Sequence, residues 1–200
     1  MGRSPETASV LAISIAVLAS YLLAHGATAF LITPVQSRFF PEITTFASLV
    51  YLPHGVRILA TWYLGARSIP LLLLSGIAAE LAFTPSEVWD QIGAIMAPSW
   101  IVGATCAYLA FEVLRLSGNN LYFGSGSRLT WRGTLLAGVI ASIFNSMGQS
   151  IVFQGFVLPE KAAQVTFFYA LGDVIGTAVT MLILMMVFRW IRLSGRRTTP

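Results

Sequence analysis

Charge is what this 200-residue chain has least of: 10% of its residues are charged, against about a quarter in an ordinary globular chain. Lysine is almost absent, Lys161 standing alone beside the arginines. Cysteine is represented only by Cys106, so no intramolecular disulfide and no thiolate zinc site can form. Two histidines and eight acids leave too few ligands for a metal-rich enzyme. No nucleophile–His–acid set, phosphate-cradling glycine loop or metal-ligand cluster is present. No catalytic residue, metal or cofactor is therefore assigned, and a non-enzymatic role is expected. A basic groove for nucleic acid needs a water-facing surface, and a chain this poor in charge has little of one.

Apolar residues are abundant instead, at 56% of the chain. A helix that crosses a bilayer needs roughly 20 mostly apolar residues. Six stretches approach that length: 8–32, 43–64, 69–83, 91–116, 131–157 and 162–191. Turn chemistry separates them at Pro34 and Pro41, Gly65 with Pro70, Pro85-Ser86, Ser117-Gly118-Asn119-Asn120 and Pro159. The third stretch is short and is expected inside the bundle or crossing with little tilt. The chain reads as one all-α polytopic membrane bundle of six transmembrane helices, with no soluble domain. The segment 117–130, rich in glycine and serine, reads as a flexible loop. The opening run followed by Ala27-Thr28-Ala29 has features of a cleaved signal. Its apolar character continues through Ile32, however, and the first helix is expected to be retained.

Arginine placement sets the expected orientation through the positive-inside rule. With the N-terminus cytoplasmic, the inner segments hold Arg3, Arg67, Arg115, Arg128, Arg132, Arg189, Arg192, Arg196 and Arg197. The outer segments hold only Arg38 and Lys161, together with Glu42, Glu87, Asp90 and Glu160. Both termini are expected in the cytoplasm, and the membrane is expected to be the bacterial inner membrane.

One basic residue, Arg57, falls inside a span. Ionisable groups at bilayer depth are costly and serve as functional candidates whose partners should be named. Arg57 lies about 21 Å along a helix counted from Ile43, and Asp173 about 16 Å along one counted from Ala162. An Arg57–Asp173 pair is expected, with Glu80 as the competing partner, because a guanidinium–carboxylate contact satisfies both groups. The pair either fixes helix register or forms part of a ligand site. His54 lies one turn from Arg57. Pro53-His54-Gly55 is expected to interrupt the second span, since proline removes a backbone donor and glycine relaxes the dihedrals, and Gly176 is expected to mark a break in the last. Asn145 and Gln149, four apart on one helix face, serve either as glue between helices or as the lining of a polar pocket. Glu112 and Arg115 are spaced for a local pair.

Leu52-Pro53-His54-Gly55-Val56-Arg57 and Leu64-Gly65-Ala66-Arg67-Ser68-Ile69-Pro70, with Leu171-Gly172-Asp173-Val174-Ile175-Gly176 near the other end, carry a resemblance. They resemble the integral-membrane sensor domains first described at the front of bacterial histidine kinases and diguanylate cyclases. The resemblance implies a sensory or ligand-responsive bundle with Pro53, Gly55, Asp173 and Gly176 in a shared core. A partner membrane or signalling protein would then carry the output. A small-molecule ligand at the polar cluster is the companion expectation. Two alternatives stand beside it. One is the substrate-binding subunit of a vitamin-type transporter; the other is an accessory subunit of a membrane complex.

Overall fold

In a lipid environment a backbone must satisfy its own polar groups, which favours helices wherever the sequence is continuously apolar. The computed structural model describes residues 5–44, 47–84, 86–126, 130–154 and 159–195. Arg3, Arg128, Arg196 and Arg197 lie outside them, as do the side chains of Glu42, Glu87 and Asp90. Every described regular element is helical. They run α1 (Pro5–Ala27), α2 (Thr33–Gln36), α3 (Pro41–Thr44), α4 (Leu52–Leu64), α5 (Ser68–Phe83), α6 (Ser86–Leu116), α7 (Trp131–Val152) and α8 (Pro159–Gly195). A π-turn, Thr28–Ile32, joins α1 to α2. Pro34 just beyond it has no N–H to give to the preceding turn, and the helix widens there.

Five stretches are long and apolar enough to cross a membrane: Ser9–Gln36, Leu52–Phe83, Met96–Leu116, Trp131–Val152 and Glu160–Ser194. The difference from the expected six lies in Leu52–Phe83, which is two helices rather than one. Gly65 sits between them at φ +58°, a left-handed conformation suited to glycine, and the chain reverses over a 3₁₀ turn at Gly65–Arg67. Ser68 Oγ donates to Gly65 O at 2.7 Å and lies 3.0 Å from Thr61 Oγ, which closes the reversal. As a result Val56 and Ala60 of α4 share a core cluster with Leu72 and Ala79 of α5.

The second predicted span needs correction. Residues 47–51 are not helical, and α4 begins only at Leu52. Pro53 stands in the first turn, where its missing N–H is harmless, so Pro53-His54-Gly55 starts a continuous helix instead of breaking one. The irregular segment survives because side chains far away in sequence satisfy its backbone. Gln36 Nε2 donates to Ala47 O at 2.8 Å, and Gln36 Oε1 accepts from Leu49 N at 2.6 Å. Thr28 Oγ1 accepts from Leu52 N at 3.3 Å, and Gly172 O accepts from Tyr51 N at 3.0 Å.

The same segment explains two glycines of α8. A Cβ on Gly172 would overlap the carbonyl oxygen of Ser48, and one on Gly176 would overlap that of Tyr51. Gly176 is therefore no helix break: α8 runs unbroken, and its glycines form a notch that takes the irregular stretch before α4. Gly55 inside α4 likewise leaves room for the Thr180 side chain of α8.

Small residues elsewhere let helices approach. Ala107, Ala110, Ala137 and Ala141 surround Ile58, Phe111 and Leu114 where α4, α6 and α7 meet. The described part of the loop after α6 is folded back against this end. Phe123 N donates to Trp62 O at 2.9 Å, and Tyr122 stacks on Phe111. Tyr122 Oη donates to Glu112 Oε1 at 2.9 Å; partial burial, then that contact, raises the phenol above its ordinary pKa. Glu112 also meets Arg115 as expected. Large apolar side chains dominate the exterior, among them Leu23, Phe30, Ile151, Met186 and Trp190.

Candidate binding cavity

Space remains where the first helix and α4 to α8 face one another. A cavity of about 490 Å³ lies there, lined by Tyr21, His25 and Thr28 from the first helix and Tyr51 and Arg57 at the start of α4. Gly76 and Glu80 of α5, Ser99, Trp100 and Gly103 of α6, Asn145 and Gln149 of α7, and Tyr169 and Asp173 of α8 complete its polar wall. Ser37 and Pro41, both exposed, also line it, so it reaches the surface at the end of the bundle where α1 gives way to α2. Beyond Arg57, away from that mouth, lies the apolar cluster around Ile58 and Phe111.

Arg57 is 7% exposed. Its Nη2 donates to Tyr21 Oη at 2.9 Å and to Tyr51 Oη at 3.3 Å. The guanidinium carbon also stands 5.8 Å and 5.1 Å from the centroids of those two rings. Its Nε and Nη1 have no hydrogen-bond partner. Gly103 opposite is what makes room for it: a Cβ there would come within 2.7 Å of Nη2.

The expected Arg57–Asp173 pair is not formed. Asp173, fully enclosed, is taken up on Oδ2 by Asn145 Nδ2 at 2.6 Å and by His54 Nδ1 at 3.4 Å. His54 Nε2 meets Gly138 O at 3.3 Å. A carbonyl only accepts, so Nε2 donates there, while Nδ1 stands 3.4 Å from the carboxylate without a hydrogen bond. His54 reaches Asp173 from the same helix as Arg57, and its imidazole fills the place assigned to the guanidinium. Glu80 does not pair with Arg57 either; it lines the cavity, half-buried, and accepts from the Thr84 hydroxyl. Among the described residues, no carboxylate lies within ion-pairing distance of Arg57.

Asn145 and Gln149 combine both roles weighed for them. Asn145 ties α7 to α8 through Asp173, and Gln149 Nε2 donates to Ser99 O at 3.2 Å across to α6. Both also line the cavity, where Gln149 Oε1 has no partner. Of the six candidates for the polar cluster, Arg57, Glu80, Asn145, Gln149 and Asp173 therefore share one cavity, with His54 directly behind its wall. Pro53, Gly55 and Gly176 shape the surrounding backbone.

The sequence reading missed the aromatic side of the site. His25 stacks on Phe83 at 5.7 Å and meets Tyr51 edge-on at 6.1 Å, and its Nδ1 has no partner. Trp100 Nε1 is buried without an acceptor. His25 had a usable signal, an ionisable residue within an apolar run and four positions after Tyr21. Tyr51 and Trp100 had none that distinguishes them from interfacial aromatics. Comparison with protein-family models, with curated proteins and with solved structures finds no match to this chain.

Proposed function

We propose that this chain is a membrane-embedded binding protein of the sensor type, which takes a small molecule into the cavity and acts through a partner membrane or signalling protein. The observation that carries the reading is a half-enclosed cavity of about 490 Å³ that ends on a buried arginine with unpartnered donors. Its volume falls within the range of roughly 300–1,000 Å³ common for small-molecule sites, and its wall mixes aromatic rings with a few polar groups.

The same reading gives six crossings, with α4 and α5 as a short antiparallel pair, in a bacterial cytoplasmic membrane. Arg67, Arg115, Arg132, Arg189 and Arg192 lie toward the end away from the cavity mouth, whereas Arg38 and Lys161 lie toward the mouth. By the positive-inside rule the mouth faces outward and both termini face the cytoplasm. A ligand then enters and leaves on one side, because the apolar cluster around Ile58 and Phe111 stands between Arg57 and the other end. That one-sidedness also suits the substrate-binding subunit of a vitamin-type transporter, which would need a separate energising partner.

The test is native mass spectrometry of the protein purified in mild detergent, with co-purifying proteins identified. A retained small molecule is expected, absent from Gly76→Phe, whose ring would fill the cavity. A signalling partner supports sensing, and a nucleotide-hydrolysing partner selects the transport subunit. A protein that purifies empty, and whose thermal stability responds to no small molecule, refutes the reading.

A further inference from the structure

Resting on that reading, we infer that the bound molecule is a small monocarboxylate carrying a planar ring, with its carboxylate against the unpartnered Nε and Nη1 of Arg57. Arg57 is a permanent cation held by neutral partners, two tyrosine hydroxyls and the faces of their rings. Burying a charge that lacks a counter-charge is costly, and removal of one partner from a buried pair leaves the other strongly destabilised. Among the described residues no carboxylate makes an ion pair with it. Asp173 is committed to His54 and Asn145, and Glu80 accepts from Thr84. Among the described residues, then, no carboxylate pairs with Arg57, and the bound molecule supplies the counter-charge.

The cavity also limits what that anion is. Two acidic residues, Glu80 and Asp173, line it beside a single guanidinium, so a dianion such as phosphate is disfavoured more than a monoanion. A monoanion matches one cation. Three other residues of the lining also carry a polar atom without a hydrogen-bond partner: Trp100 Nε1–H, Gln149 Oε1 and His25 Nδ1. Between them the walls are flat rings, with His25 and Phe83 stacked within 15° of parallel, and Tyr21, Tyr51, Trp100 and Tyr169 around the same space. A planar ring offers the best contact with such walls.

The assay is isothermal titration of the detergent-purified protein with benzoate, its neutral isostere benzamide, acetate and inorganic phosphate. Benzoate is expected to bind roughly tenfold to a hundredfold more tightly than benzamide, the range for hydrogen bonds to a charged group. Acetate binds more weakly than benzoate for want of the ring, and phosphate does not compete. In Arg57→Gln the preference for benzoate over benzamide disappears, and Arg57→Lys restores part of it. The comparison within the wild-type protein stands even where a variant fails to fold. Benzamide binding as tightly as benzoate overturns the carboxylate assignment and leaves small-molecule binding intact. Phosphate displacing benzoate overturns the monoanion argument. Repeating the titration in bilayer discs of phosphatidylcholine, with and without phosphatidylglycerol, distinguishes a free solute from a lipid. Equal benzoate affinity in both supports the solute, and competition by phosphatidylglycerol assigns the anion to a lipid headgroup and overturns it. Binding of none of the four probes, with nothing retained on purification, removes both the assignment and the reading beneath it.

Discussion

Alanine at Gly176 tests the most specific packing feature of the fold. Its Cβ would overlap Tyr51 O and stand 3.1 Å from Leu52 N; at Gly172 a Cβ would overlap Ser48 O and stand 3.0 Å from that carbonyl carbon. Ordinary carbon contacts need about 3.5 Å or more, so the whole segment before α4 must retreat from α8. Backbone cannot rotate away as a side chain does. Overpacking of this kind costs about 1–3 kcal/mol, and loss of the Tyr51 N–H···O=C Gly172 bond adds about 1 kcal/mol. Each variant is therefore expected to lose about 2–4 kcal/mol, a shift of roughly 30-fold to 1,000-fold in the folding equilibrium. Gly76→Ala is the matched control. Its Cβ would meet only Tyr21 Oη, at 3.8 Å, in ordinary contact, so alanine's helix preference should leave stability unchanged or raised by up to about 1 kcal/mol. Reversible unfolding in mixed micelles of rising dodecyl sulfate content, followed by circular dichroism, measures all three. Gly176→Ala as stable as wild type, or Gly76→Ala as costly as Gly176→Ala, refutes the notch as described.

Two further outcomes follow from the polar groups and the arginines. His54→Ala removes a close neighbour of the enclosed Asp173 and the donor to Gly138 O, and should cost about 1–3 kcal/mol in the same unfolding assay; no measurable loss would show that the contact carries no weight. Cys106 is buried, so single cysteines added at Ser37 and Ser125 report sidedness with a membrane-impermeant maleimide. Ser37→Cys should label in intact cells and Ser125→Cys only after permeabilisation, and the reverse pattern inverts the proposed orientation.

Hydropathy made most of the helices readable. The stretches at 91–116 and 131–157 lie close to α6 and α7, because a continuous apolar run has few other ways to satisfy its backbone. It failed at 47–51, which is as apolar as its neighbours but whose N–H and C=O groups are met by Gln36 and Gly172, as Thr28 meets the N–H of Leu52 just after it. No local pattern announces partners that lie so far along the chain. The site divided in the same way. Arg57 and Asp173 were conspicuous as charges in apolar surroundings, so their importance was legible. Their partners were not, since a tyrosine hydroxyl or a histidine one turn away competes on geometry that spacing alone does not contain. The segment 117–130 misled for a related reason. Its glycines and serines suggest freedom, but Phe123 and Tyr122 anchor its described part on Trp62 and Phe111.

Tyr51 belongs to two structures at once. Its ring and hydroxyl lie on the guanidinium of Arg57, while its amide and carbonyl are set into the glycine notch of α8. The ring has little room to shift on its own, flanked by Arg57, Tyr21 and His25. The backbone of Tyr51 rests against residues 172–176, in a helix of 37 residues, about 55 Å long. The far end of that helix, from Leu182 to Leu193, is largely exposed. Cavity wall and long helix thus meet at Tyr51, as well as at Tyr169 and Asp173, which α8 itself contributes to the wall.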